Sequence, residues 1–284
     1  MERVSIDHVE LRLAQPDELS VRWIGSDELP RQLRAAWTVL AEGDTWMSPR
    51  VSGKPGVGKT TLAYTTARSL GRDVFIQQAT MDTRPEDLIV QPVISPEGGI
   101  AYVASPIVSA MIRGGVAILD EANRMPEKSF ASLASLLDDR HYVESVIAGV
   151  KIKAHADFRF AVTINTDAST YEIPEYIQSR LQPSIEVDWA DPETERQILR
   201  FHVPHAPEEL LERMVAYLTH AHREDEPTST RDGINILRYS EKLRRSLPPG
   251  EADAEECFER ARRMVLGNRR AGRRGMSAAE PGDD

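Results

Sequence analysis

The sequence is poor in several things, and each shortage excludes a class of protein. It has one cysteine, Cys257, in 284 residues, so it can form no internal disulfide. No Cys-His signature surrounds that cysteine, which reads as a small buried side chain on a late helix in a reducing compartment. No run of about 18 apolar residues is present. The first residues, Met1-Glu2-Arg3-Val4-Ser5-Ile6-Asp7, carry no apolar signal core, so no membrane span and a cytoplasmic location are expected. Positive charge is in deficit: 35 Lys and Arg against 45 Asp and Glu leave a net charge of −10. Aromatics form no base-stacking series, so broad nucleic-acid binding is not expected. The arginines that do cluster, Arg260, Arg262, Arg263, Arg269, Arg270, Arg273 and Arg274, suit a helix C-terminus running into a disordered tail, the alternative being a docking or nucleic-acid patch. Four histidines, His202, His205, His220 and His222, lie in a helical stretch interrupted by Pro204 and Pro207. Without cysteines or paired acids they read as solvated or capping groups, not as a metal frame. An Asn-Lys-x-Asp pattern, of the kind that reads a guanine base, is also missing.

What is present centres on Gly53-Lys54-Pro55-Gly56-Val57-Gly58-Lys59-Thr60-Thr61, which fits the phosphate-binding pattern G-x-x-x-x-G-K-[ST]. A strand-like run, Arg50-Val51-Ser52, precedes it, and a helix-favouring run from Leu62 to Arg68 follows. Backbone N–H groups converge on a polyphosphate only where no Cβ blocks the approach, hence the glycines. The following helix adds its unpaired N-terminal N–H groups and the positive end of its dipole. Lys59 is expected to reach the outer phosphates and the Thr60 hydroxyl to ligate Mg²⁺.

Two further strands end in chemistry. Val116-Ala117-Ile118-Leu119-Asp120-Glu121 is an apolar run that emits two carboxylates where parallel sheets bind ligands. Asp120 is suited to hold Mg²⁺ opposite Thr60, and Glu121 to orient and deprotonate a water. Phe158 to Ile164 is a second apolar run, ending at Asn165. An amide there bridges water and phosphate, or simply starts a turn before Asp167.

Strands are expected near 49–53, 74–78, 115–120, 158–164 and 184–188, with helical patterns between several of them, as in a parallel sheet covered on both faces. Residues 3–24 read as a β-hairpin around Gln15-Pro16-Asp17-Glu18, making residues 1–27 a β-rich addition. Residues 28–42 read as a helix with Leu29, Leu33, Ala36, Trp37 and Leu40 on one face. The nucleotide-binding core is set at 28–189. At Asp191-Pro192 a cap and a first-turn proline begin an all-helical region, 190–267. One stripe there is Leu210, Leu211, Met214, Val215 and Leu218; another is Ile234, Leu237, Tyr239 and Leu243. Residues 268–284 read as a disordered tail.

Taken together these segments resemble the AAA+ ATPases, and within them the MoxR-like, helix-2-insert group with its CbbQ, NorQ and magnesium-chelatase relatives. The resemblance runs over about residues 30–265 and is carried by residues 53–60, Leu-Asp-Glu-Ala-Asn-Arg-Met-Pro at 119–126 and Thr-Ile-Asn-Thr at 163–166. Ile173–Leu181 and Ser229-Thr230-Arg231 add to it. It implies an α/β P-loop core with a parallel sheet between helices and a small all-helical lid. Lys59 and Thr60 would form its Walker A site, Asp120 and Glu121 its Walker B site, and Asn165 its sensor 1. Arg180 would be an arginine finger for the neighbouring subunit, and Arg231 a sensor 2. Two intervals, 89–103 and 141–156, match hairpins that face the pore or substrate in related motors. The resemblance further implies ATP hydrolysis in a homo-oligomeric ring, usually of six, acting on a client protein and working with a von Willebrand A domain partner. The alternatives are a nucleic-acid-linked motor or nucleotide-dependent switch, and a small-molecule kinase that needs no neighbour.

Overall fold

A computed structural model describes residues 2–95, 98–167, 171–248 and 253–267. The chain divides into two units, one through Asp188 and one from Trp189 onward.

The first unit opens with an antiparallel hairpin, β1 (Arg3–Ile6) and β2 (Val9–Arg12). Its turn is Asp7-His8, both residues left-handed at φ 47° and 70°, the twist a two-residue hairpin demands. The expected turn at Gln15–Glu18 is therefore corrected. Asp17 instead lines a sheet edge: its N–H donates to the Val74 carbonyl at 2.7 Å and its carboxylate accepts from the Ile76 N–H at 2.7 Å. α1 (Glu28–Trp37) stops short of residue 42 because Thr38 is extended and its hydroxyl bonds back to the Arg34 carbonyl. Leu40, expected on the apolar face, is 86% exposed, whereas Leu33 and Trp37 are buried.

The central layer follows. β3 (Arg50–Gly53) leads into α2 (Lys59–Ser69), and β4 (Val74–Gln78) follows. β5 (Val90–Ile94) and β6 (Ile100–Ala104) form the first expected hairpin, directly before α3 (Pro106–Arg113). Ser105 caps α3 by accepting from the Val108 N–H, Pro106 opens it, and Gly114 closes it at φ 70°. β7 (Val116–Asp120) carries the acids, and α4 (Glu127–Ala131) follows. β8 (Tyr142–Ser145) and β9 (Val150–Lys153) form the second expected hairpin. β10 (Arg159–Asn165), α5 (Glu175–Gln178) and β11 (Ser184–Glu186) complete the unit.

Five strands form one parallel sheet in the order β11-β3-β10-β7-β4. β3 is first in sequence yet lies inside the sheet, between β11 and β10. That reversal of strand order opens a crevice at the strands' carboxyl ends. β7 and β10 are buried almost throughout, as strands covered on both faces must be. A second sheet runs β1-β2-β6-β5. β2 pairs in parallel with β6 through Leu11↔Tyr102 and Arg12↔Val103, so the N-terminal hairpin extends the insert hairpin. Leu11 and Leu13 join the same core cluster as Phe75, Met111 and Phe130.

The second unit comprises α6 (Pro192–His202), α7 (Glu208–Arg223), α8 (Thr230–Ser246) and α9 (Ala254–Leu266). Its core includes Leu199, Leu211, Met214, Leu218, Ile236, Leu237 and Phe258. Asp191 caps α6, accepting from the Glu193 and Thr194 N–H groups. On α8 the fully buried pair is Ile236 and Leu237, with Ile234, Tyr239 and Leu243 only partly buried. The expected stripe there missed Ile236. Cys257 is buried on α9. His222 departs from a solvated reading. It stacks on Trp189 at 3.9 Å between ring centroids, contacts the Thr228 carbonyl through Nε2 at 3.1 Å, and lies 3.8 Å from Glu195. The tail 268–284 lies outside the described residues. Among the described residues no helix is long and apolar enough to cross a membrane.

Candidate nucleotide-binding and hydrolytic site

Between β3 and α2 the chain must turn through conformations that side chains resist. Gly53, Gly56 and Gly58 have φ of 155°, 86° and 97°, all in the region that glycine enters freely. At Gly53 a Cβ would lie 2.3 Å from the Val187 carbonyl oxygen. Gly58 is the residue before α2, so the loop delivers the chain directly to that helix's N-terminus. Pro55, Val57 and Thr61 belong to the same turn and first helical residues. Val57 packs against the cluster of Val51, Leu62 and Ile185. Lys59 is 6% exposed, and its Nζ donates to the Gly53 and Lys54 carbonyls at 3.0 and 2.8 Å. The ammonium therefore crosses the loop from the helix side. A group not foreseen from sequence, Trp23, covers one flank: a Cβ at Gly58 would be 3.4 Å from its ring.

Opposite the loop, the Thr60 hydroxyl donates to Asp120 Oδ1 at 2.6 Å, and so does the Thr163 hydroxyl at 2.6 Å. The Thr60 hydroxyl and the Asp120 carboxylate are hard oxygen donors of the kind Mg²⁺ takes, and Thr163 orients the carboxylate from the other side. This donor set fits that ion.

Glu121 has φ 53°, a strained setting for a residue with a side chain and one that recurs at functional sites. Asn165 Nδ2 donates to Glu121 Oε1 at 3.1 Å, so the acid and the amide expected from two separate strands meet directly. Arg124 flanks the other oxygen, with Nε 2.5 Å from Oε2. That nitrogen is buried without a hydrogen-bond acceptor, so the contact is a charge pair and not an aligned hydrogen bond. Asn123, 4% exposed, holds the Asn165 backbone through both ends of its amide. Sequence reasoning gave Asn123, Arg124 and Thr163 no role. All three lie inside the segments 119–126 and 163–166 that carry the family resemblance, which is the signal that could have flagged them.

Arg180 follows α5 and is half-buried. Its Nη1 donates to the Tyr176 carbonyl and its Nε lies 3.9 Å from Asp138. Asp138 is held below the usual carboxylate range, chiefly by its hydrogen-bonded Arg140 and only slightly by Arg180. Arg231 lies in the first turn of α8 in the second unit and is exposed.

Comparison with known proteins bears on the fold and the family. Residues 51–181 match the family model described as AAA domain (dynein-related subfamily). The chain is 27% identical over 180 residues to chaperone MoxR1 of Mycobacterium tuberculosis, covering 62% of this chain and 44% of that protein. It is 24% identical over 212 residues to von Willebrand factor A domain-containing protein 8 of mouse, covering 67% of this chain and 11% of that one. Its fold also resembles the Thermotoga maritima RuvB Holliday junction branch migration motor, with a TM-score of 0.56 at 16% identity, over 86% of this chain and 70% of that one. The matched segment and these relatives support reading the chain as an AAA+ ATPase similar to the MoxR proteins. It spans less than half the length of these two curated relatives.

Proposed function

We propose that this chain hydrolyses ATP at a site completed by a neighbouring copy, and uses the cycle to remodel, activate or mature a partner protein. The observation that carries the reading is the meeting of Glu121 and Asn165 beside the Thr60–Asp120 pair, at the mouth of a glycine-lined phosphate loop.

The loop amides and Lys59 would bind the triphosphate, with Lys59 exchanging its carbonyl partners for phosphate oxygens. Thr60 and Asp120 would hold Mg²⁺, which when bound neutralises charge on the outer phosphates. Glu121 accepts the proton of the attacking water, and Asn165 fixes the position of both. Arg180 of one subunit would leave Asp138 and Tyr176 and meet the charge developing on its neighbour's phosphoryl group. An arginine supplied in this way is worth about 10³- to 10⁵-fold in rate. Arg231 would report the outer phosphate to the helical unit, and the two hairpins would face the client. The likeness to chaperone MoxR1 supports a protein client, and the mouse relative's name supports a von Willebrand A domain partner. A hexameric ring is the arrangement this reading assumes.

Glu121→Gln should keep ATP affinity within about threefold of the parent while turnover falls by at least about 100-fold. Turnover at the parent rate would remove Glu121 as the base.

A further inference from the structure

The two central strands of the parallel sheet separate just before they reach the site. β7 and β10 pair from Val116↔Arg159 to Leu119↔Val162 and no further. Each keeps its other neighbour to the end: β10 stays on β3 as far as Asn165↔Gly53, and β7 stays on β4 as far as Asp120↔Gln78. A fork therefore opens between the acid-bearing tip of one strand and the amide-bearing tip of the other.

Backbone groups inside such a fork have lost their ladder partners, and buried ones must find others. Two side chains supply them. The Thr163 hydroxyl accepts from the Glu121 N–H at 2.8 Å and donates to Asp120 Oδ1 at 2.6 Å. Asn123 Oδ1 accepts from the Asn165 N–H at 3.2 Å, and its Nδ2 donates to the Asn165 carbonyl at 2.7 Å. The asparagine amide thus stands in for one peptide unit of the missing strand, offering a donor and an acceptor in one plane. Its main-chain carbonyl accepts from the Tyr171 N–H at 2.9 Å, so the turn that carries it is held from a second side. Thr163 is fully buried, and Asn123 and Asn165 are 4% and 3% exposed. The bridges are out of reach of competing water.

We propose that Asn123 and Thr163 are positioning residues for hydrolysis: by bridging the fork they fix the strand tips at the separation that lets the Glu121 carboxylate and the Asn165 amide, in contact at 3.1 Å, face one water together. The inference rests on Glu121 being the base. A closed ladder would set the strand ends about 4.8 Å apart with their side chains directed to the sheet faces. An unbridged fork would leave the gap undefined. Misplacing reacting groups by about 1 Å costs on the order of 100-fold in rate, so the bridges matter to kcat far more than to binding.

The test compares Asn123→Ala, Thr163→Val, Thr163→Ser and Glu121→Gln in the full-length chain. Steady-state ATP hydrolysis and the Kd of a fluorescent ATP analogue are measured for each. Asn123→Ala and Thr163→Val should lose about 10- to 100-fold in kcat with Kd within about threefold. Thr163→Ser, which keeps the hydroxyl, should recover most of the rate. Parent-level kcat in both Asn123→Ala and Thr163→Val overturns the proposal, and so does a Thr163→Ser rate no better than that of Thr163→Val. If kcat and affinity fall in parallel, the bridges are merely structural and the proposal also fails. Should Asn123→Ala not fold, the valine–serine pair at 163 decides alone. Full turnover in Glu121→Gln would sink the underlying reading of the base. Loss in that variant alone would sink only the positioning role.

Discussion

Single residues in this chain sit where their chemistry is not the cheapest choice for stability. Gly53 is required by contact as well as by φ. In Gly53→Ala the new methyl would meet the Val187 carbonyl at 2.3 Å, and the residue carrying that carbonyl, just past β11, is held in place because the Val187 N–H donates to the Ser52 carbonyl at 2.8 Å. A loss of about 2–4 kcal/mol is expected, read as a lower denaturant midpoint. An unchanged midpoint would mean that the loop relaxes freely. Glu195 is a second such residue. Burial pushes its carboxyl up to about 7, Asp191 adds to the rise, and the Thr230 hydroxyl opposes it. The unfolded chain releases that proton near pH 4.5 while the folded chain keeps it to about 7. Stability is therefore highest below this window and falls as pH rises through it. Glu195→Gln should remove the fall, a gain of about 1–3 kcal/mol near pH 8. Hydrogen exchange in α6 and α8 from pH 5 to 8 checks it, and parallel profiles in parent and variant would contradict it.

At the scale of elements, what the sequence made legible was whatever has a local cause. Of the five strands of the parallel sheet, β4, β7 and β10 announced themselves as apolar runs, whereas β3 was legible from the glycine-rich loop it leads into. α3 and α6 begin at a capping side chain followed by proline, which any reader of the sequence can find. Both hairpins around residues 94–100 and 145–150 were visible as paired β-prone runs. The misreadings share the opposite origin, partners distant in sequence. Residues 15–18 looked like a turn because of Pro16, yet Asp17 is bonded to residues 74 and 76. α1 is the exception, ending at Trp37 for a local reason, since Thr38 is extended and its hydroxyl bonds back to the Arg34 carbonyl. His222 read as a solvated or capping group, but it stacks on Trp189 and lies 3.8 Å from Glu195. The acids and Asn165 could be picked out individually. That Glu121 and Asn165 touch across a fork could not, since strand order and the end of a ladder are properties of the sheet. Gly233 gives an element-level test: in Gly233→Ala the methyl of α8 would meet Leu218 of α7 at 2.7 Å. A destabilisation of about 1–3 kcal/mol is expected, and a variant as stable as the parent would show that Leu218 changes rotamer without cost.

For the molecule as a whole, the phosphate loop, the acids and Asn165 all lie in the unit that ends at Asp188, and Arg231 lies in the other. One group the proposed chemistry needs, the guanidinium of Arg180, is engaged on its own subunit by Asp138 and Tyr176. The account therefore makes turnover a property of adjoining copies, and an isolated subunit a poor catalyst. Arg180→Ala and Glu121→Gln each remove one half of every shared site, so each protein alone should be nearly inactive. The most direct measurement is the ATPase rate of the two variants mixed at varied ratios. Mixed assemblies contain sites that join an intact Glu121 to an intact Arg180, so activity should reappear and peak near equal proportions. A mixture that never exceeds the sum of its inactive parts, although the two proteins co-assemble, would contradict the account.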